Sequence, residues 1–418
     1  MKILFINKNE ITGGAGIAAY RLHCGLQDYY STDNYFIVGS KKTENEKVFL
    51  SRKKGWQTFF ERGTNYFMNR IGRQYSFFPF SSSNILRYAK EIKPDVISLH
   101  NILGGYFKTS LLIELSEIAP IIWTIHDMWA MTGNAAHAFG DESFLEMKAF
   151  KGERKHYPSI GINNGNKLLQ RKKEIYSKAN FSVVCPSEWL AAYARRSPVF
   201  EGKQVSQIFN GVDLNTFCVK DKAALRKKYY ISEDAKVIIF SAENLKFSEF
   251  KGGKSLIRIL ESINSLSPFD IQLIVIGKGN LQNLTHLEHF NIIQTGYIQS
   301  EEKMADYLCL SDVLLYPTKA DNLPNVLIES IACGTPAVTN DIGGCKEIIK
   351  DNFNGFIIDQ NDDIAAAKKV IDLLSDQTLL SQFSSNARKY AVEHFDIKTM
   401  TDKYYHLFND VLSKKLHE

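Results

Sequence analysis

Cysteine is scarce in this chain and poorly spaced for a covalent framework. The six cysteines lie far apart, and no two of them form a C-x-x-C pair. Small secreted scaffolds depend on closely spaced cysteine pairs, whereas cytosolic proteins keep their thiols reduced. We therefore expect reduced thiols in a cytoplasmic enzyme.

Long apolar runs are also missing. No stretch approaches the roughly 18 apolar residues that a membrane-spanning helix needs. The first nine residues, MKILFINKN, contain an apolar run too short for a signal peptide and predict a first buried strand instead. The chain is thus expected to lack a spanning helix and a secretory leader.

Neither sign of charge dominates the composition. The 418 residues are 44% hydrophobic and 23% charged, with a net charge of +5, which is typical of a globular protein. A chain of this length predicts two or three domains. The mild positive charge suits anionic ligands or an anionic membrane face, but we predict no nucleic-acid partner.

The most informative stretch runs from Tyr316 to Lys346. An apolar strand at 313–316 is followed by a polar loop and a helix. That helix is predicted to have Pro324 as its first residue, with Asn322 or Leu323 as the cap. Gly334 and Pro336 end it before a strand at 337–339. The order strand, loop, helix, strand indicates a parallel α/β sheet.

The chemistry of this stretch lies at the loop and the helix start. Backbone amides at a helix N-terminus attract phosphate, and Asn322, Leu323 and Asn325 would present such amides. Asp321 and Glu329, eight residues apart, would supply carboxylates for ribose or sugar hydroxyls. From spacing alone, an ordinary βαβ unit with solvated acidic side chains remains an equal alternative.

The stretch resembles the donor site of retaining glycosyltransferases of family four. Asp321, Glu329 and the run Ala332–Pro336 match the family pattern of an acidic residue, seven residues, a Glu and an A-C-G-T-P run. Most members have Glu where this chain has Asp321. The resemblance covers nearly all 418 residues. It implies the GT-B fold: two Rossmann-like domains facing across a cleft, with a C-terminal helix crossing back to the first.

The resemblance also implies the domain limits. Residues 1–212, joined by 397–418, would form the acceptor-side domain, and residues 213–396 the donor-binding domain. Pro324 belongs to the expected donor site together with its neighbours. In the second domain, Asn244 stands where the family has Arg, and as a donor-binding residue it could only hydrogen-bond. Lys251 is the expected cation for the diphosphate, and Lys246 is the alternative replacement for the missing Arg. Tyr297 and Ile298 match the segment that holds the base through backbone groups.

A glycine-rich segment, Gly13–Gly16, follows the first strand. We predict a turn there that lets a ligand approach the backbone, and the resemblance implies that Gly14 and Gly16 face the donor diphosphate. A tight turn without function is about as probable from the sequence alone. The pattern is not G-x-G-x-x-G, so a nicotinamide site is not expected.

Two further strands of the first half end in polar residues, where open parallel sheets bind ligands. One ends in His100-Asn101 and the other in His126-Asp127. The resemblance implies that His126 contacts the donor sugar near its anomeric carbon, while His100, Asn101 and Trp129 are assigned to the acceptor. A histidine at a strand end is also commonly structural.

The segment WTIHDMWAMTG, from Trp123 to Gly133, resembles a subgroup of enzymes from bacterial capsule and colanic-acid-type clusters. The cysteine-rich continuation of that subgroup is absent between 133 and 165. That absence rules out a metal or a disulfide there. Residues 134–166 are predicted to be a polar insertion near the acceptor.

A basic aromatic segment at 52–73 has two interpretations. Six basic residues face one acid, Glu61, and aromatic residues recur at helical spacing. Such a helix can lie on an anionic membrane. Alternatively, the aromatic face packs on the domain core and the charges are solvated.

The resemblance implies a metal-independent, anomer-retaining transfer without a cofactor. His126, Asp321 and Lys251 would act on a UDP- or GDP-sugar, and the acceptor would be a glycan or a polyprenyl-diphosphate-linked saccharide. No Asp-x-Asp metal motif occurs in the chain. A nucleotide-sugar epimerase or hydrolase would differ by turning over the donor alone. A catalytically dead binding module would bind the donor without transfer.

Overall fold

A computed structural model describes residues 1–244, 250, 252–279, 284 and 286–417. The chain divides into two compact units. The first comprises Met1–Phe209 and Met400–Glu418, and the second comprises Asn210–Thr399. The sequence-based boundaries had been placed at 212/213 and 396/397.

The first unit is built on a seven-stranded parallel sheet. Apolar β-branched and aromatic residues dominate its strands, and the central ones are buried on both faces, as crossover helices require. The strands are β1 (Lys2–Asn7), β2 (Asp33–Val38), β3 (Val48–Leu50), β4 (Val96–Leu99), β5 (Ile121–Thr124), β6 (Phe181–Cys185) and β7 (Val205–Gln207). Their order is β3-β2-β1-β4-β5-β6-β7.

Residues 1–209 of the first unit also form six helices and short 3₁₀ turns, one of them at Met128–Ala130. The helices are α1 (Gly13–Tyr30), α2 (Trp56–Arg70), α3 (Pro79–Ile92), α4 (Leu111–Ile118), α5 (Gly165–Lys178) and α6 (Glu188–Arg196). Ser187 caps α6, accepting a hydrogen bond from the Leu190 amide at 3.1 Å.

The second unit repeats the architecture with a six-stranded parallel sheet. Its strands are β8 (Lys236–Asn244), β9 (Ile271–Lys278), β10 (Phe290–Gly296), β11 (Val313–Tyr316), β12 (Ala337–Asn340) and β13 (Gly355–Ile358). Their order is β10-β9-β8-β11-β12-β13. Its helices are α7 (Lys222–Lys228), α8 (Gly253–Leu266), α9 (Glu301–Leu310), α10 (Asn325–Ala332), α11 (Cys345–Ile348), α12 (Asp363–Ser375) and α13 (Gln377–His394).

The C-terminal helix α14 (Ile397–His417) begins in the second unit and packs on the first. The Tyr405 ring stacks on Tyr30 with centroids 3.7 Å apart. The Tyr404 hydroxyl lies 2.9 Å from the Thr124 hydroxyl at the end of β5. Within the described part of the chain, α14 and the other helices lack an apolar stretch long enough to span a bilayer.

Both sheets reverse their strand order once, and these positions locate candidate sites. The chain leaves β1 towards β2 and β3, then returns to place β4 on the other side of β1. In the second unit β11 returns beside β8 in the same way. Open α/β sheets bind ligands beyond the carboxyl ends of the strands at such reversals. The loops after β1, β4 and β11 are therefore candidate ligand sites.

The predicted pair of Rossmann-like parallel sheets is confirmed, but two local predictions are wrong. Gly13–Gly16 do not form the turn after β1; residues 8–12 do, and the glycines begin α1. Pro324 is the cap rather than the first residue of α10, which starts at Asn325. Proline suits either position because neither uses its missing N–H.

Candidate functional site

In the second unit, Asp321 lies in the loop that leaves β11 at the strand-order reversal. Its carboxylate accepts the Tyr316 hydroxyl at 2.6 Å and the Asn322 backbone amide at 3.0 Å. Burial, followed by the nearby Asp321, raises the pKa of Tyr316 well above its ordinary value. Tyr316 therefore stays a hydroxyl donor and fixes the position of the carboxylate. The Asn322 amide is engaged by Asp321, so in this structure it is not offered to a phosphate.

Close backbone approaches hold this loop from two sides. Gly343 has φ +55°, and a Cβ there would lie 1.8 Å from the Asp321 carbonyl oxygen. Gly252 has φ +66°, and a Cβ there would lie 1.7 Å from the Pro317 carbonyl oxygen. Only glycine fits either position. The Gly344 amide adds a bond to the Asn322 carbonyl at 2.7 Å.

Phe250, two residues before Gly252, also contacts the loop after β11. The Phe250 carbonyl accepts the Lys319 amide at 2.6 Å and the Thr318 hydroxyl at 2.9 Å. The start of α8 and the loop after β11 thus form one structure. Lys246 and Lys251 lie outside the described residues, as does the side chain of Asn244, whose backbone ends β8.

Helix α10 carries Glu329 on its second turn, where the side chain is buried. Leu323 and Pro324 are buried directly before the helix. Asn325, its first residue, accepts the side-chain amide of Asn210 at 2.9 Å. Tyr297 and Ile298 follow β10 and are half-buried, with the Lys278 ammonium 5.5 Å from the Tyr297 ring.

Arg388 of α13 is a positioning residue that sequence reasoning missed. Its guanidinium donates to the Ala332 carbonyl at the end of α10 at 2.8 Å and to the Phe217 carbonyl at 2.7 Å. A cation at a helix C-terminus satisfies carbonyls that have no partner within the helix. Arg388 therefore fixes α10 from the end opposite to the candidate ligand, a role that no local motif indicates.

In the first unit, two histidines from neighbouring strands meet. His100 Nδ1 lies 3.2 Å from His126 Nε2, and His100 Nε2 lies 3.0 Å from the Ser98 hydroxyl. Burial lowers the pKa of His126 to about 4, and burial together with His126 lowers that of His100 well below its usual range. Both imidazoles are therefore neutral at pH 7.

The position of the His100 side chain does not fit the predicted contact with an acceptor. Its ring is buried, stacked 5.9 Å from Phe5, with both nitrogens engaged. His100 instead orients His126, which is partly buried. A cavity of about 20 Å³ lies beside the pair, which is room for about one water.

Trp129 is also buried rather than exposed to an acceptor. Its indole N–H donates to Gln74 Oε1 at 2.6 Å, and the Lys172 ammonium lies 3.8 Å from its ring. Its backbone amide donates to Asp127 at 2.9 Å. Burial raises the pKa of Asp127 to about 6. Trp129 thus forms the support beneath the His126-Asp127 turn.

Asn101 remains at the edge of the site. Its backbone amide donates to the side chain of Asn7 at 3.1 Å, and its side chain accepts the Leu103 amide at 2.8 Å. Asn7 ends β1, so the two asparagines join the loops at the strand-order reversal. Asn7 was not among the predicted site residues.

Gly14 and Gly16, both near the start of α1, differ in the space around their Cα atoms. A Cβ at Gly16 would lie 2.6 Å from Asn9 Oδ1, which accepts the Thr12 amide at 2.7 Å. A Cβ at Gly14 would have no atom within 4 Å. The glycine at 16 is needed for the turn after β1, whereas the one at 14 leaves room beside the helix start.

The predicted polar insertion at 134–166 is part of the core. Phe144 and Phe150 belong to the apolar cluster of the first unit. Glu153 is buried and accepts the amides of Asn134 at 2.7 Å and Ala135 at 3.2 Å. Among the described residues there is no group of three or more His, Cys, Asp or Glu side chains placed to hold a metal ion.

Comparison with known families assigns both halves of the chain. Residues 42–216 match the model "Glycosyltransferase Family 4". Residues 221–390 match the model "Glycosyl transferases group 1". The first match contains His126, and the second contains Asp321 and Glu329.

The chain is also similar to individual proteins. The chain is 25% identical to N-acetyl-alpha-D-glucosaminyl L-malate synthase of Bacillus anthracis over 50% of this chain, and it spans 55% of that relative. It is 20% identical to the putative colanic acid biosynthesis glycosyl transferase WcaC of Escherichia coli over 93% of this chain and 95% of WcaC. The structure of Anabaena Alr3699/HepE in complex with UDP-glucose superposes with a TM-score of 0.66 at 16% identity, over 99% of this chain and all of that one.

Proposed function

Since this chain belongs to the family 4 glycosyltransferases with the GT-B fold, we propose that it moves a sugar from a nucleotide-diphosphate sugar to a saccharide acceptor. The observation that carries this proposal is the loop after β11. There Asp321, fixed by Tyr316, and the buried Glu329 lie at the strand-order reversal of the second sheet.

We propose that the donor occupies this unit and that UDP is the nucleotide to test first. Glu329 would bind the ribose hydroxyls, and Asp321 those of the sugar. Lys251 and the helix-start amides would neutralise the leaving diphosphate. The UDP-glucose complex of Anabaena HepE supports a uridine donor; a GDP-sugar is the alternative.

We propose that the reaction retains the anomeric configuration. The acceptor oxygen would attack the anomeric carbon on the face from which the diphosphate leaves, and a donor phosphate oxygen would take the acceptor proton. His126, neutral and oriented by His100, would hydrogen-bond the sugar as positive charge develops. The acceptor would be a glycan or a polyprenyl-diphosphate-linked saccharide of a bacterial surface polysaccharide, which the likeness to WcaC supports.

We propose the cytoplasm as the site of this reaction. The six cysteines lie far apart in the sequence and include no C-x-x-C pair, and this spacing suits a reducing compartment.

The direct test is a thermal-shift panel of UDP- and GDP-sugars, followed by transfer assays with lipid-linked saccharides. Stabilisation by one donor, and transfer that needs both substrates, are expected. Full-rate turnover of the donor alone would identify an epimerase or hydrolase. Binding without transfer to any acceptor would identify a binding module. A panel without any stabilising donor would reject the proposal.

Replacing Glu329 by Ala is expected to weaken donor binding by more than about 1 kcal/mol, because a charged hydrogen-bond partner is lost. Isothermal calorimetry measures the change in affinity. Glu261→Ala, which removes an exposed carboxylate of the same unit, is the matched control and should bind as the wild type does. Unchanged affinity in folded Glu329→Ala protein would contradict the ribose role.

Transfer is expected to survive the removal of divalent metal. The chain has no Asp-x-Asp motif, and the proposed diphosphate contacts are cationic and amide groups of the protein. The measurement is the transfer rate in EDTA, with Mg²⁺ or Mn²⁺ restored as the control. A rate that vanishes in EDTA and returns with either metal would overturn metal independence.

A further inference from the structure

Helix α2 presents its aromatic side chains to solvent. Of its 15 residues only Glu61 is buried. The exposed fractions are 66% for Trp56, 83% for Phe59, 64% for Tyr66 and 58% for Phe67. The interpretation in which this aromatic face packs on the domain core is therefore wrong. Large apolar side chains grouped on one exposed face mark an interaction surface.

A buried polar contact anchors α2 to the domain. The fully buried carboxylate of Glu61 accepts Arg52 Nη1 at 2.7 Å. It also accepts the Ser81 amide at 2.8 Å and the Ser81 hydroxyl at 2.5 Å. The same Arg52 nitrogen donates to the Gly105 carbonyl at 2.6 Å. These bonds fix which side of the helix faces inward.

The helix period then determines what faces outward. At about 100° per residue, Glu61 lies roughly 160° around the axis from the centre of the aromatic stripe. We define this stripe as Trp56, Phe59, Phe60, Tyr66 and Phe67. The Trp56 and Phe60 rings lie edge-on to Phe80 on α3, with ring centroids 4.9 and 5.8 Å apart. The stripe is thus held away from the core by the anchoring of Glu61.

The charge around the stripe is of one sign. Residues 52–73 are all described, and their single acid is Glu61, which is buried and paired with Arg52. The exposed basic residues are Lys53, Lys54, Arg62, Arg70 and Arg73. The Arg70 guanidinium lies 5.5 Å from the Tyr66 ring, so cations and aromatic rings share one surface.

We propose that α2 docks the protein on an anionic membrane surface. The aromatic stripe would insert at the headgroup level, and the five basic side chains would contact the lipid phosphates. Trp and Tyr favour this interface, and Phe side chains bury apolar area there. An anionic leaflet attracts each nearby Lys or Arg. The uncompensated positive charge favours a lipid surface over a second copy of this chain, whose α2 would carry the same charge. The inference does not depend on the proposed transfer reaction.

Vesicle sedimentation of the full-length protein tests the proposal. The wild type is expected to sediment with vesicles of equal parts phosphatidylcholine and phosphatidylglycerol, and not with phosphatidylcholine alone. Changing Arg62, Arg70 and Arg73 to Glu should weaken vesicle binding by about a hundredfold or more. The control changes the exposed Lys90, Lys167 and Lys178 of the same unit to Glu and should keep most of the binding.

A second variant separates insertion from simple charge attraction. Phe59→Ser with Phe67→Ser keeps every charge and should reduce vesicle binding at least tenfold at moderate salt, where screening weakens the electrostatic part. A wild type that never binds the mixed vesicles would overturn the proposal. So would a double variant that binds as tightly as the wild type, or a dimer in analytical ultracentrifugation that the double variant abolishes.

Discussion

Replacing His126 by Ala is expected to slow sugar transfer on the order of 10²-fold while the protein still folds and binds its donor. The imidazole is partly buried just beyond the end of β5, and its Nε2 faces His100. Its lowered pKa keeps it neutral at pH 7, so it can hydrogen-bond a sugar without placing a positive charge beside a developing oxocarbenium ion.

The loss should appear in kcat more than in KM, because a contact that strengthens in the transition state does not contribute to substrate binding. Single-turnover kinetics, normalised to the folded fraction from a melting curve, measures it. His286→Ala, which removes an exposed histidine of the second unit, is the control. Near-normal turnover of folded His126→Ala protein would leave His126 as a structural residue.

The histidine pair also shows where sequence reasoning stopped. His100 and His126 each follow a buried apolar strand, so their place at the carboxyl edge of the sheet was predictable from alternation and burial. That β4 and β5 are neighbours, and that His100 therefore supports His126 from inside, depends on strand order. Strand order is set by the packing of the whole unit rather than by either segment.

The short apolar run at 313–316 was predicted accurately, because its bounds agree with those of β11. Strand β3, three residues at the sheet edge, pairs only with β2 and has no distinctive pattern of its own. The orientation of α2 could not be settled from periodicity, because an aromatic stripe looks the same whether it faces a core or a membrane; the burial of Glu61 decides it.

The insertion at 134–166 was misjudged for a related reason. Its composition predicted a polar insertion near the acceptor, but the Glu153 carboxylate is buried and accepts the amides of Asn134 and Ala135. No sequence pattern indicated that Lys172, on α5, is buried. The backbone carbonyls that accept hydrogen bonds from its ammonium lie about 40 residues earlier in the chain. No local sequence pattern therefore connects them with Lys172.

Replacing Lys172 by Met is expected to lower the stability of the first unit by about 3–5 kcal/mol, as the loss of one partner of a buried ionic cluster does. The ammonium is buried and donates to the carbonyls of Trp129, Thr132 at 2.8 Å and Gly133 at 3.3 Å. Burial lowers the pKa of Lys172, and the charges of Glu153 and Asp127 oppose that shift.

Methionine matches the length of the apolar stem, so the variant removes the charge and the donors with little change in volume. All four tryptophans of the chain, Trp56, Trp123, Trp129 and Trp189, lie in the first unit. Urea unfolding followed by tryptophan fluorescence therefore reports on this unit alone.

The neighbouring residue offers a matched control. Lys173 is half-exposed and pairs with Glu201 at 3.0 Å, so Lys173→Met should cost less than about 1 kcal/mol. The double variant Lys172→Met with Glu153→Gln should lose less stability than the two single variants lose together. The reason is that the charges of Lys172 and Glu153 compensate each other, and the double variant removes both. If Lys172→Met and Lys173→Met both lower the stability by the same small amount, the Lys172 ammonium does not hold the segment after Asp127. In that case the orientation of His126 would depend on His100 and on the Asp127–Trp129 turn alone.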